Sequence, residues 1–378
     1  MFWKLMPSEN ISLDERNSLA NFILNTDKFT QGEYVKKFEK EWSEWQNCKY
    51  SVFVNSGSSA NLLLVKSMID LYGNGGMICQ STTWPTNINP ALQLKGIDFL
   101  QLCDNNLYNF GPEINQLKDY ITKLKPKYLF ITHVLGFNAF SQEIQDLCYK
   151  NGVKIIEDCC ESHGASYYTT KVGNLGEAGT FSFYYGHHMT TIEGGMISTN
   201  NKDLYNQLII NRSHGLLREH PEKELIETNC DRRFTFLTDG FNFRNTEINA
   251  YLGCLQLPKL TENIKIRNKN YEYFMSRLDP TKYYTSFITE GLSSFAFPII
   301  SKNQNIEKLK EKLTAVGIEN RPFIAGNLSK QIYMNKVNMY RDFPNSDLIH
   351  TSGMYLGNNQ FITNEMMDVG LDILNGAF

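Results

Sequence analysis

The sequence predicts an α/β protein: a mostly parallel central sheet flanked by helices, followed by a smaller α+β domain. Three observations carry this. From residue 51 onward, short β-rich runs alternate with longer amphipathic segments, the rhythm of strand–helix–strand units. Several runs, YLFITHV and VKIIE among them, are apolar on consecutive residues, as strands covered on both faces are. Beyond about residue 255, long polar helical patterns frame only two β-like runs. The expected division is residues 1–255 for a large domain and 256–378 for a small one. The N-terminal segment is a candidate to pack on the small domain.

The elements follow in order. Residues 13–46 mix charged and apolar positions at helical spacing, broken near Gly32. Strands are expected at Ser51–Asn55, Met77–Gln80, Ile97–Leu102, Tyr128–Thr132, Val153–Glu157, Gly179–Tyr184 and Gly195–Thr199. Between them, the turn SGS opens a helix over Ser59–Leu71, and another covers Ser141–Lys150, stopping before Gly152. An amphipathic helix over Glu247–Leu257 follows Gly240-Phe241-Asn242-Phe243-Arg244. In the last third, helical patterns at Leu260–Leu278 and Asn305–Val316 frame the runs SFAFPII and GIENRPFI.

Composition narrows the function. A chain of 378 residues with 42% hydrophobic and 20% charged positions can bury a sizeable core. The net charge of −3 gives no reason to expect nucleic acid or an anionic membrane as partner. No stretch approaches the roughly 18 uninterrupted apolar residues that span a bilayer. The start, MFWKLMPSENISLDERN, turns charged too early for a secretory leader. The eight cysteines show neither C-x-C nor C-x-x-C spacing, so reduced thiols in a cytoplasm are expected rather than disulfides, zinc or an iron–sulfur cluster.

Four stretches gather chemistry. Asn55-Ser56-Gly57-Ser58-Ser59-Ala60-Asn61 follows a strand and opens a helix, where glycine lets backbone approach a ligand and free N–H groups favour an anion. A plain N-cap would read the same. Ile155-Ile156-Glu157-Asp158-Cys159-Cys160-Glu161 runs an apolar strand into acids at its carboxyl end, where open α/β sheets place their ligands. One carboxylate there could hold a pyridinium nitrogen protonated; a solvated loop or helix cap is the alternative. Ser182-Phe183-Tyr184-Tyr185-Gly186-His187-His188 ends a strand in a histidine pair and leads to Glu193-Gly194-Gly195. Adjacent histidines on extended backbone cannot both face one pocket, so one is structural, and a metal pair would need different spacing. No metal is expected. The fourth stretch, Gly240 to Arg244, says little alone.

In this order the four stretches resemble the DegT/DnrJ/EryC1/StrS sugar aminotransferases, from roughly residue 10 to the C-terminus. Phe29-Thr30-Gln31-Gly32-Glu33-Tyr34-Val35, Ser213-His214-Gly215, Asn320-Arg321-Pro322 and Gly326-Asn327 add to the likeness. The resemblance implies a fold-type I pyridoxal-phosphate (PLP) enzyme, aspartate aminotransferase-like, acting on nucleotide-linked keto-sugars. Usual members read S-F-x-x-x-K-x-x-x-x-x-E-G-G, and their lysine anchors the cofactor covalently. Here that position is His187. Imidazole forms no stable Schiff base but titrates near neutrality and shuttles protons. The same replacement marks the branch containing GDP-4-keto-6-deoxy-D-mannose 3-dehydratase.

What the resemblance implies can be placed residue by residue. Gly57, Ser58 and Ser182 hold the cofactor phosphate. Trp84 stacks on the ring, unless it is a buried core tryptophan, and Asp158 pairs with the ring nitrogen. Glu161 stands where aminotransferases commonly carry glutamine facing the ring hydroxyl. Asn242 reaches the phosphate from a neighbouring subunit, which implies a homodimer with shared sites. His214 is a candidate for substrate contact. Arg218, Arg244 and Arg321 are candidates for the substrate diphosphate, since guanidinium offers paired donors, or else make surface salt bridges.

The implied reaction uses L-glutamate to turn pyridoxal phosphate into pyridoxamine phosphate. It then removes the C-3 hydroxyl of a nucleotide-linked 4-keto-6-deoxy sugar, GDP-linked by the same likeness, with His187 as proton carrier and ammonia released. Cysteines without the clustered spacing of an iron–sulfur-dependent relative favour glutamate over an external electron chain. The alternatives are an aminotransferase making a 4-amino sugar, a dehydratase of a GDP-linked heptose, and a silent nucleotide-sugar binder.

Overall fold

The computed structural model describes residues 2–303, 305–337 and 339–376. Nine strands come in the first two hundred residues: β1 (Tyr50–Val54), β2 (Gly75–Gln80), β3 (Ile97–Cys103), β4 (Tyr128–Thr132), β5 (Lys154–Asp158), the short pair β6 (Ser166–Tyr167) and β7 (Thr170–Lys171), β8 (Ala178–Ser182) and β9 (Gly195–Thr199). Seven form one sheet in the order β1-β9-β8-β5-β4-β2-β3, and within it only β9 runs antiparallel to its neighbours.

Apolar residues on both faces explain why the central strands are apolar at consecutive positions. Tyr128 and Phe130 of β4 join Val52, Val54, Ile156 and Ile197 under the helix Gly57–Tyr72. Their neighbours Leu129 and Ile131 point the other way, onto Leu117, Ile121 and Ile144 of the opposite helices. Successive strand side chains alternate faces, so a strand buried on both sides has no polar positions to spare. Each such Leu, Ile or Phe contributes about 1.5–3 kcal/mol.

The break near Gly32 separates two helices, Leu13–Asn25 and Glu33–Gln46. The buried Glu247 carboxylate caps the second one, accepting from the N–H groups of Gly32 (2.9 Å), Tyr34 (2.8 Å) and Val35 (2.9 Å). A carboxylate there satisfies donors the helix itself leaves free.

One expectation is corrected. The helical patterns at Glu247–Leu257 and Leu260–Leu278 are one 29-residue helix, Glu247–Met275, running straight through Pro258. Proline costs the helix one hydrogen bond. Buried Leu252 and Leu257 before it and Leu260 after it keep the helix on the core regardless. Beyond this helix, β10 (Ala296–Ile300), β11 (Asn320–Pro322) and β12 (Gly353–Gly357) form an antiparallel sheet in the order β10-β12-β11. It packs on the helices Ile306–Ala315 and Asn364–Asn375, and Trp3 inserts into the same cluster.

Candidate active site

A cavity of about 520 Å³ opens where β4, β5 and β8 end, roofed by residues of the three-stranded sheet. It is lined by eight of the residues singled out in the sequence: Gly57, Ser58, Trp84, Asp158, Glu161, Ser182, His187 and Arg321. The carboxyl edge of parallel strands is where α/β sheets bind ligands.

Its anion-binding corner is built by close packing. Ser56 caps the helix Gly57–Tyr72 by accepting from Ser59 N–H at 3.0 Å. A Cβ on Gly57 would lie 2.6 Å from Ser182 Cβ and 3.0 Å from Cys160 Sγ, so only glycine fits between helix and strand. The helix N-terminus and the Ser58 and Ser182 hydroxyls thereby face one space, suited to a phosphate. Trp84, directly before the helix Pro85–Gln93, is 53% exposed at the rim, so it is no core residue and leaves its ring available for stacking.

Asp158 is the last residue of β5, one further than the sequence places that strand's end. Its Oδ2 accepts from the amides of Asn61 (2.8 Å) and Asn87 (2.7 Å), and its Oδ1 from the Cys160 N–H (2.9 Å). Three donors fix the buried carboxylate and leave it able to hold a protonated ring nitrogen. Asn61 closes the first stretch singled out in the sequence but has no role assigned there, and Asn87 looks like an ordinary polar residue inside a helix.

Strand β8 stops at Ser182, two residues before the expected Tyr184, because the Tyr184 N–H turns back onto Ser182 Oγ at 3.3 Å. This turn delivers His187 to the cavity and sends His188 into the core. His187 Nδ1 lies 2.5 Å from the carbonyl oxygen of Cys160, which can only accept. The proton therefore sits on Nδ1, and Nε2 keeps a lone pair. Burial pushes the imidazole down to about 4, against the opposing pull of that hydrogen bond and of the Asp158 charge. His187 is thus a neutral base at physiological pH. His188 Nε2 lies 3.2 Å from both the carbonyl and the hydroxyl oxygen of Ser293. Of the pair, the second histidine is the structural one.

Glu161 accepts from the Leu135 N–H at 3.0 Å, and Leu135 holds a φ of 52°, unusual for a bulky, non-glycine residue. Burial, with the Asp158 charge adding to it, raises the Glu161 carboxyl to about 8. It is therefore mainly a neutral acid near pH 7, able to donate where glutamine's amide would. Tyr355, from β12, lines the same space; its hydroxyl is pushed up by burial and by the Glu161 charge. No sequence signal marks Tyr355.

Four candidates lie outside this cavity. His214 is exposed in a left-handed conformation (φ 62°). Arg218 is exposed and pairs with Glu219 at 3.6 Å, the surface ion pair that was its alternative. Arg244 lines a separate shallow pocket with Lys28, Gln31 and Lys36, and it donates to Asn242 Oδ1 at 3.1 Å. Asn242 itself is exposed and does not line its own chain's cavity.

Among the described residues, His133, Glu157 and Cys159 bring potential metal ligands within 4.8 Å of one another. Their donors are already engaged. His133 Nδ1 accepts from Ala139 N–H (3.0 Å) while its Nε2 donates to Glu157 (3.0 Å). Glu157 also takes the N–H groups of Gly173, Leu175 and Gly176, each at 2.8 Å. Burial holds the Cys159 thiol far from its thiolate form. The cluster braces β5 and does not fit a metal.

Among known proteins, the model of the DegT/DnrJ/EryC1/StrS aminotransferase family matches residues 11–372. A GDP-4-keto-6-deoxy-D-mannose 3-dehydratase of Escherichia coli O55:H7 is 31% identical over 370 residues, covering 93% of this chain and 94% of the relative. One of the same name from Yersinia pseudotuberculosis is 31% identical over 369 residues, covering 93% of each. The fold superposes with a TM-score of 0.90 on a crystal structure of GDP-4-keto-6-deoxymannose-3-dehydratase with a trapped PLP-glutamate geminal diamine. The two are 28% identical, with 98% of this chain and 100% of the other covered.

Proposed function

The chain belongs to the DegT/DnrJ/EryC1/StrS aminotransferase family, and on that premise we propose that it is a 3-dehydratase of a nucleotide-linked 4-keto-6-deoxy sugar. It works with pyridoxal and pyridoxamine 5'-phosphate, takes its amine from L-glutamate, and acts on a GDP-linked sugar to give a 4-keto-3,6-dideoxy sugar and ammonia. His187 carries the reading: a neutral imidazole with a free Nε2 lines the cavity, at the position where the sequence motif puts the family's anchoring lysine.

The cavity fits the cofactor. Bound there, it would supply an amine for the sugar ketone and a ring that takes up electrons. Gly57, Ser58 and Ser182 would hold its phosphate, and Trp84 would cover one ring face. Asp158, oriented by Asn61 and Asn87, would keep the ring nitrogen protonated. Glu161, in its neutral form, would donate to the ring hydroxyl.

His187 Nε2 would accept the proton from the carbon beside the ring and return it to the departing C-3 hydroxyl. The Cys160 carbonyl holds the imidazole in the required tautomer throughout. Lacking an amine, His187 cannot compete with the substrate for the cofactor, which separates dehydration from ordinary transamination. Arg321, on β11, is the arginine facing the cavity and the candidate for substrate contact.

A homodimer completes the site, with Asn242, and Arg244 beside it, offered to the neighbouring subunit's cavity. Eight free cysteines, and no helix among the described residues long and apolar enough to cross a membrane, accord with a cytoplasmic enzyme. Turnover of a panel of GDP-, CDP- and dTDP-linked keto-sugars tests the reading; loss of C-3 oxygen from the GDP sugar is expected, and no turnover of any would defeat it.

A further inference from the structure

Behind His187, away from the cavity, lies a buried arginine that the proposed chemistry does not use. Arg267, on the long helix Glu247–Met275, is 2% exposed, and no carboxylate among the described residues pairs with it. Its guanidinium donates instead to the carbonyl oxygens of Phe295 (3.4 Å) and Asn358. Its Nε has no partner. An unpaired buried cation is costly, and its retention points to a use.

Phe295 joins it to a cluster of three imidazoles. His163 packs against His188 (ring centroids 5.2 Å apart) and His187 (6.3 Å). The Phe295 ring, whose carbonyl Arg267 holds, touches His187 (5.5 Å) and His188 (5.8 Å). The two rear rings have little around them to hold a second proton. His188 can only donate through Nε2 to the Ser293 carbonyl, and its Nδ1 faces no partner. Neither nitrogen of His163 has a close hydrogen-bond partner, although the Ser182 backbone favours its protonated form, and the ring is enclosed by Trp42, Phe181 and Phe183. A proton on either ring would add a second unpaired charge next to Arg267.

We propose that Arg267 is a positioning residue that holds the His163–His188–His187 cluster in its neutral form, so that His187 stays a proton acceptor instead of sharing protons with the rings behind it. The balance at His187 involves several further groups. Asp158 and Glu161 face it from the end of β5, and His133 from the end of β4. Tyr184 and Glu193 come from its own loop, and Arg321 and Tyr355 from the three-stranded sheet. Asp158 favours the imidazolium, whereas Arg267 opposes it at all three histidines, second to burial at His188.

Two measurements test this. In the cofactor-free full-length protein, nitrogen-15 NMR of labelled histidines should find His163, His187 and His188 unprotonated at neutral pH, and R267M should raise the protonation midpoint of at least one of them. Midpoints that R267M leaves unmoved would overturn the proposal. In turnover, R267M should move the acid limb of kcat/KM upward by about one pH unit, tenfold in proton concentration, while R267K should restore it. A loss of kcat at every pH with an unmoved limb would mean that Arg267 is only structural, and would also overturn it. If R267M does not fold, R267Q, which keeps polar donors without the charge, replaces it in both measurements. The turnover arm rests on the dehydratase reading, but the NMR arm does not: absent dehydration with three neutral histidines would sink that reading alone.

Discussion

The carbonyl oxygen of Cys160 takes the Nδ1 proton of His187 at 2.5 Å, and that contact decides which nitrogen of the ring can do chemistry. Cys160 is itself pinned by donating its N–H to Asp158 at 2.9 Å. The base and the carboxylate that would polarise the cofactor are thus held by one residue between them. Substituting His187 should therefore abolish proton transfer without disturbing the cofactor pocket. H187N is expected to lose at least about a hundredfold in turnover, the lower range for removing a general base, while cofactor absorbance on binding is retained. Equal loss of cofactor binding would remove His187 from the proton-transfer step.

H187K restores the family's amine. Borohydride treatment of the loaded H187K protein should then fix the cofactor to the chain, read as a mass increase absent from wild type. A lysine variant that stays unmodified and dehydrates as fast as wild type would refute the role given to His187.

Glu161 sets the alkaline side. Its carboxyl, raised to about 8 by burial, is neutral below that pH and loses the proton it would donate above it. His187, lowered to about 4, is a base above that pH. Turnover should be flat between the two and fall on either side. In E161Q, whose amide does not ionise, the alkaline limb should move beyond pH 9 or vanish. A limb still near 8 would assign it to another group.

The sheet is legible in the sequence because strands buried on both faces must be apolar at consecutive positions, and Tyr128–Thr132 and Gly195–Thr199 have the same bounds in sequence and structure. Pro258 conceals the long helix, since proline ordinarily ends one and only the flanking core leucines show why this one continues. Asp158 and His187 stand out locally, each at a strand end or turn rich in chemistry. The residues that orient them do not. Asn61 and Asn87 reach Asp158 from 97 and 71 positions away, and Arg267 approaches the histidines from another element entirely. Such partners are set by tertiary packing, which leaves no mark at the sequence spacing.

Gly57 is required by the closeness of its neighbours. G57A would press a methyl group onto Ser182 Cβ, 2.6 Å away, costing about 1–3 kcal/mol if the fold holds. Cofactor affinity, measured by pyridoxamine phosphate titration, should fall at least about tenfold. Unchanged affinity would place the phosphate elsewhere.

Asn242 tests the shared site. Co-expressed H187N and N242A chains form some dimers with one intact cavity, so at limiting cofactor the mixture should recover activity that neither variant has alone. Absence of recovery, together with a monomeric mass by sedimentation, would contradict the dimer.

The fate of the glutamate nitrogen tests the central claim most directly. With nitrogen-15 glutamate, pyridoxal phosphate and a GDP-linked 4-keto-6-deoxy sugar, the label should appear as free ammonia beside a sugar that has lost its C-3 oxygen. Label retained on C-4 of a sugar that keeps its C-3 hydroxyl would contradict it and make the chain an aminotransferase.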